Sequence, residues 1–126
     1  MSVDLRSFIY LDSLQPQVNA IMATISRGFL PTVGEASLIV EIAPGIAINQ
    51  LTDIAVKRVD VRPGMQVVER RYGMLEVHSE SQGDVREAGR AILENLGLEE
   101  GDRLKPKVLS SQVIRNVDDL QVQLIN

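Results

Sequence analysis

The sequence predicts an α/β fold of the α+β sandwich type, in which helices pack on a mainly antiparallel sheet. Two observations predict it. Short segments rich in β-branched and aromatic residues alternate with segments whose apolar residues recur at helical spacing. Two of the predicted strands are also joined by only a short connection, as antiparallel neighbours are. A length of 126 residues is that of one compact domain, and neither an internal repeat nor a low-complexity linker stands out.

The first half of the chain predicts a strand, a helix, a second strand and a second helix. A strand is expected from Leu5 to Leu11, followed by a helix that begins at Pro16 and ends at Gly28. The nearly continuous apolar run 36–43 is typical of a buried strand, and Pro44-Gly45 ends it. Apolar residues of the first helix share one face: Val18, Ile21, Met22 and Ile25. The second helix is expected to turn Ile48, Leu51, Ile54 and Ala55 inward and Asn49, Asp53 and Lys57 outward.

The second half predicts a hairpin, a third helix and a tail. Residues 59–61 suggest a short strand and Pro63-Gly64 a turn, before strands Met65–Arg70 and Met74–His78. The third helix is expected to begin after Ser81, with Asp84 three residues later, and to end at Gly97. Its apolar stripe comprises Val85, Ala88, Gly89, Ile92, Leu93 and Leu96. Beyond Lys105 the pattern is mixed, and 108–114 is consistent with a short helix or strand.

Composition excludes several classes of function. The net charge of −4 and the pI near 5 disfavour broad nucleic-acid binding, which needs a basic surface. The chain has no cysteine, so disulfides, thiolate catalysis and cysteine metal sites are excluded. We see no secretory signal peptide and no apolar run long enough to span a membrane. These features predict a cytoplasmic protein without nucleic-acid or membrane partners.

The single histidine is the only candidate for histidine chemistry. His78 alternates with Glu76 in a predicted strand and lies near Glu80, so we expect a partly exposed side chain beside carboxylates. The spacing assigns no nucleophile or base to it and is a poor match to a metal site. The sequence also lacks a glycine-rich phosphate loop. It therefore predicts a protein that is not an enzyme and has no catalytic residue, metal or cofactor.

Two charged positions suggest contacts between copies of the chain. Glu69 and Arg70 are adjacent opposite charges at the end of a predicted strand. In a ring of identical chains they would repeat around an axis, where they could pair between neighbours or line a pore. Lys57, on the outward face of its helix, could lie along a subunit edge in a sheet-forming assembly.

Several separated segments resemble one known family. EIAPGIAINQLTDIAVKRVDV is similar to the core motif of the bacterial microcompartment (BMC) shell domain. LRSFIYLDSLQPQ, VVERRYG and QVQLIN resemble the first half of the tandem-domain, circularly permuted shell proteins of carboxysomes. The resemblance covers nearly the whole chain and implies that residues 1–126 are a single BMC shell domain, the first half of such a tandem protein, without its second domain.

The resemblance also implies a structural role in the carboxysome shell. Three tandem chains of this family form a pseudohexameric disc, discs tile into facets with other shell proteins, and two discs can stack through their first domains. Glu69 and Arg70 match the pair whose side chains exchange places to gate a central pore. Lys57 matches the lysine at disc edges. The pore is expected to pass metabolites such as ribulose bisphosphate and phosphoglycerate. For this chain alone we expect a homohexamer, with a trimer, stacked discs or a monomer as the other outcomes.

A second hypothesis is a homo-oligomeric α/β regulatory protein that binds an anionic metabolite at subunit interfaces. The two hypotheses differ in the position of Glu69 and Arg70. A shell tile has them at a central axis, whereas a regulator has its basic residues in lateral clefts. A small enzyme that uses His78 has little support.

Overall fold

A computed structural model describes residues 2–125 and shows a four-stranded antiparallel sheet in the order β1-β2-β4-β3, with helices packed on it. The predicted fold class is confirmed. The elements are β1 (Asp4–Leu11), α1 (Pro16–Ile25), β2 (Ala36–Ala43), α2 (Ile48–Arg58), β3 (Arg62–Glu69), β4 (Tyr72–Ser79), α3 (Gln82–Leu96) and α4 (Asp119–Ile125). Short 3-10 turns at Gly45–Ala47 and Glu100–Asp102 precede α2 and follow α3.

The main core lies between one face of the sheet and helices α2 and α3. Alternate residues of the two central strands supply the sheet side of this core, because side chains on a strand point to opposite faces in turn. The helix side comes from the predicted apolar stripes, and Ile54 is only partly buried. Fully buried members include Leu38, Val40, Ile42, Leu75 and Val77 from the strands and Ile48, Leu51, Ala55, Val85, Ala88 and Ile92 from the helices.

Two β-bulges shape the outer strands. Arg6 is the extra residue in β1, which lets Leu5 and Phe8 both enter the core although they are three positions apart. Gly64 is the extra residue in β3. The predicted turn at Pro63-Gly64 is therefore wrong: both residues lie within a strand, and a proline is tolerated there because β3 is at the edge of the sheet.

The first helix ends earlier than predicted and buries little. It stops at Ile25, and Ser26 caps it through bonds from its N–H and Oγ to the Met22 carbonyl. Gly28 instead lies beside β3, where its N–H donates to the Gly64 carbonyl. Of the expected apolar face only Met22 is buried, and Ile21 and Ile25 remain largely exposed.

The third helix has the predicted ends. Ser81 Oγ accepts a bond from the Asp84 N–H at 3.2 Å, which satisfies one free donor of the first turn. Gly97 has φ +68°, the left-handed conformation that commonly ends a helix. The predictions for residues 59–61 and 108–114 are wrong, because neither segment forms a strand or a helix.

The tail crosses the open edge of β1 and then leaves the body of the domain. The Leu104 N–H donates to the Leu5 carbonyl, and Arg103 reaches the Phe8 carbonyl. From 105 to 124 every residue is exposed. Within residues 2–125, no helix combines the length and the apolar character that crossing a bilayer requires. Position 126, the last residue of the quoted QVQLIN segment, lies outside the described residues.

Candidate functional site

The hairpin that joins β3 to β4 brings the predicted charge pair to an exposed tip. Glu69 pairs with Tyr72 across the ladder, so the loop consists of only Arg70 and Arg71. Arg70 has φ +54°. Two-residue hairpins require such a left-handed residue and normally use Gly, Asn or Asp for it. An arginine at this position indicates that its side chain is needed there despite the backbone strain.

The charges at the tip have no ion-pair partners within the described part of the chain. Glu69, Arg70 and Arg71 are exposed, and their side chains make no salt bridge in residues 2–125. They line a cleft of about 460 Å³ together with Glu41 and Tyr72. The tip is therefore free to pair with another molecule.

The base of the hairpin, by contrast, is held firmly. The Arg6 guanidinium lies 4.3 Å from the centre of the Tyr72 ring, a cation–π geometry, and its Nε donates to Glu41 Oε1 at 2.9 Å. The bond to Glu41 also raises the pKa of the Arg6 guanidinium. Arg71 approaches the same ring at 5.9 Å. Tyr72 is thus a fixed point beside a loop whose other side has no such contact.

A close backbone contact supports the same place. Gly73, the second residue of β4, lies against the backbone of Gly45 in the 3-10 turn before α2. A side chain at either position would overlap the other segment. The Pro44-Gly45 break predicted from the sequence is therefore also a packing contact under the hairpin.

Removing the Arg6 charge should loosen the hairpin. We expect Arg6→Gln to increase amide hydrogen exchange in residues 70–73 by about two- to fivefold, because an exposed cation–π contact contributes about 0.5–1 kcal/mol. Mass-spectrometric hydrogen exchange measures this. Tyr72→Phe keeps the ring and should leave the rate unchanged, whereas Tyr72→Leu should match Arg6→Gln. Unchanged exchange in Arg6→Gln would show that the contact does not hold the loop.

Lys57 lies where the sequence predicts, on the outward face of α2. Its side chain is 75% exposed and pairs only with Asp53, one turn earlier, at 3.0 Å. The neighbouring Arg58 binds Glu87 of α3, and Arg90 binds the same carboxylate, which lowers the pKa of Glu87 to about 2. Lys57 thus borders a groove between two helices that these ion pairs hold together.

The structure corrects the expectation for His78. Its side chain is 1% exposed, not partly exposed, and its Nδ1 lies 2.9 Å from Glu76 Oε1. Glu76 is also fully buried and accepts a bond from Ser37 Oγ at 2.5 Å. Gly64 packs directly over both side chains, where a side chain of its own would not fit. This is a closed polar network under the second face of the sheet, and Glu80 is not part of it.

Comparisons with known proteins place the chain. A sequence model described as the CsoS1D N-terminal domain matches residues 5–102. The chain belongs to this family. The carboxysome shell protein CcmP of Synechococcus elongatus is 58% identical over all 126 residues, and the carboxysome shell protein CsoS1D of Hydrogenovibrio crunogenus is 48% identical over 124. The chain spans 59% and 60% of the lengths of these two relatives.

Two solved structures show the same fold as this CsoS1D-type domain. One is described as the fused permuted hexameric shell protein MSM0275 of the RMM microcompartment, with 41% identity and a TM-score of 0.83. The other, described as the double ringed trimeric shell protein MSM0271, has 38% identity and a TM-score of 0.78. Each match covers 98% of this chain and about 60% of the other. The predicted permuted BMC fold is confirmed.

The family assignment also answers the question of catalysis. The curated relatives are carboxysome shell proteins, which agrees with the prediction that the chain is not an enzyme, and they give no support to a regulatory protein. Sequence reasoning found Glu69 and Arg70 but missed Arg6, Glu41 and Tyr72. The bulge that brings Arg6 beside Glu41 leaves no clear signal in a strand of eight residues.

Proposed function

We propose that this domain is a tile of the carboxysome shell, in which copies close a hexameric ring with the β3–β4 tips around a central pore. One observation carries the proposal. Glu69 and Arg70 are exposed and unpaired at the end of a hairpin whose base is fixed by Arg6 and Tyr72. A rigid arm with free opposite charges suits a symmetry axis, where each acid meets a neighbour's base.

The same tip is suited to anions. Six copies of Arg70 and Arg71 around one axis would outnumber six copies of Glu69 and give the opening a positive potential. Rings of arginine favour anionic solutes over neutral ones. Phosphorylated sugar metabolites, such as ribulose bisphosphate and phosphoglycerate, are the proposed solutes, and other shell proteins are the lateral partners.

A gate at this position needs two states of similar free energy. The left-handed backbone of Arg70 costs about 1–2 kcal/mol for a residue with a side chain. Leaving that conformation recovers part of this cost, so a second arrangement of Glu69 and Arg70 lies close in free energy. The proposed gate is therefore the exchange of these two side chains, with Tyr72 as the pivot.

Cross-linking at a single cysteine tests the position of the tip. The chain has no natural cysteine, so Arg70→Cys creates one reactive site per copy. A short bifunctional thiol reagent should link Arg70→Cys subunits to one another in high yield. The matched control is Arg90→Cys, an exposed position on α3, where linking should be sparse. Equal linking at both positions, or none at Arg70→Cys, would place the tip away from an axis.

We further propose that residues 1–102 form the first domain of a tandem protein and that the tail opens the second. The pattern Asp-x-Leu-Gln-x-Gln occurs at 12–17 and again at 118–123, a spacing of 106 residues. At the same spacing Phe8, Leu11 and Val18 correspond to the apolar Ile114, Val117 and Leu124. The first set belongs to β1 and α1, and the second to the exposed tail.

Burial and length support this interpretation. Leu14 is 1% exposed, whereas Leu120 at the matching position is 73% exposed, as expected for an element whose own sheet is absent. The 126 residues are 59% of the CcmP relative, so that relative is about twice 106 residues long. The repeat is only six residues long, which is why it does not stand out in the sequence alone. Whether three tandem chains or six single domains form the ring depends on that second domain.

Lys57 gives a separate prediction about tiling. Lys57→Asp should abolish the association of rings into sheets and leave the rings themselves intact, because the residue is far exposed and pairs only within its own helix. Negative-stain electron microscopy and light scattering distinguish sheets from single rings. Asp53→Asn, which frees Lys57 without reversing its charge, should still form sheets. Loss of the rings in Lys57→Asp would show that Lys57 is not at a disc edge.

A further inference from the structure

A second cavity lies at the end of β4 opposite the hairpin tip. It has a volume of about 460 Å³ and lies between the end of β4, the start of α3 and the loop before β2. His78 lies at its wall, six residues along β4 from Tyr72, which is about 20 Å in a strand. The cavity is therefore separate from the proposed pore.

The orientation of His78 is fixed from behind. Its Nδ1 is engaged by Glu76, which Ser37 and Gly64 hold in place. The ring's other nitrogen, Nε2, makes no hydrogen bond to any described residue. The unsatisfied buried side-chain atoms in this part of the chain do not include Nε2, so that nitrogen is open to the cavity. When Nδ1 carries the proton and donates to Glu76, Nε2 is left as an acceptor.

The charges around this cavity are strongly one-sided. Its lining includes the carboxylates of Glu35, Asp60, Glu80 and Asp84 and a single base, Arg62. None of the four carboxylates forms a salt bridge within residues 2–125. Elsewhere on the same helix, Glu87 and Glu94 are both paired with arginine. An enclosed group of unpaired acids raises the local concentration of cations.

We propose that this cavity binds a guanidinium or primary ammonium group. Such a group carries positive charge and several N–H donors, which match the carboxylates of Asp60, Glu80 and Asp84 and the acceptor Nε2 of His78. No three metal-ligating side chains converge within the described residues, which disfavours a metal ion as the occupant. The group is either a free amine or a lysine or arginine side chain of a neighbouring protein. The proposal does not depend on the pore.

The single histidine makes this proposal directly testable. In protein labelled with ¹⁵N-histidine, His78 is the only source of imidazole signals. Titration with ethylguanidinium and with ethylammonium should shift the Nε2 resonance saturably. Tetramethylammonium has the same charge but no N–H donor and should leave it unchanged. Glu80→Gln with Asp84→Asn should weaken binding about tenfold, whereas Glu94→Gln, an exposed acid of the same helix, should not.

Two further results separate the sources of the cation. A shifted Nε2 signal that is already present in the assembled protein and disappears on dilution assigns the group to a neighbouring subunit. A signal that responds only to added amine assigns it to a free ligand. Either result supports the proposal. An equal response to tetramethylammonium, no saturable response to either amine, or saturation by Mg²⁺ or Zn²⁺ alone would overturn it.

Discussion

Replacing Glu76 with alanine should lower the free energy of unfolding by about 3–5 kcal/mol. Removing one member of a buried pair leaves the other buried and uncompensated, and losses of that size are typical. Glu76 and His78 are both almost completely buried, and Ser37 depends on the same carboxylate. Urea denaturation with linear extrapolation measures the change.

The control for this prediction is an exposed acid. Glu94→Ala removes a carboxylate on α3 that pairs only at the surface, so its effect should stay within about 0.5 kcal/mol. Adding His78→Ala to Glu76→Ala should cost less than the two single losses combined, because the residues interact directly. Additive losses, or a loss below about 1 kcal/mol for Glu76→Ala, would mean that the pair does not stabilise the fold.

Arg70→Gln should reduce the binding of a sugar bisphosphate to the assembled ring by at least tenfold. The substitution removes one guanidinium per subunit from the proposed opening. A hydrogen bond to a charged group contributes about 1.5–3 kcal/mol, and about 1.4 kcal/mol corresponds to a tenfold change. Calorimetric titration at low ionic strength measures the affinity, and the mass of the ring should be unchanged.

The matched control is Arg90→Gln. Arg90 is an exposed arginine of α3, engaged with Glu87 and Glu94, and lies away from the hairpin. Its loss should leave bisphosphate binding within about twofold, because it faces no free cleft. Equal affinities of wild type and Arg70→Gln would remove Arg70 from the solute path. Weak binding with loss of the ring would instead assign Arg70 to subunit contacts.

The elements that the sequence predicts well are those with a complete local pattern. The strand 36–43 is apolar along its length, and α3 has a full apolar stripe, a Ser81 cap and a Gly97 end. Each of these signals lies within one segment, so no knowledge of the rest of the fold is required. The exposed tip with Glu69 and Arg70 also follows from local alternation and charge.

The errors come from features that depend on distant segments. Pro63-Gly64 has the composition of a turn, but the edge position of β3 and the packing of Gly64 over Glu76 keep it in a strand. The burial of His78 requires a covering on the second face of the sheet, which strand alternation cannot reveal. Arg6 acquires its role only when a bulge brings it to Glu41 and Tyr72.

The mass of the assembly in solution tests the central claim most directly. Native mass spectrometry of the 126-residue chain, whose mass is 13.9 kDa, counts the copies without any label. The account predicts six copies, or a multiple of six if rings stack, because closing the ring gives each exposed Glu69 and Arg70 a partner in a neighbouring copy. A chain that stays monomeric at micromolar concentration would contradict ring formation by this domain.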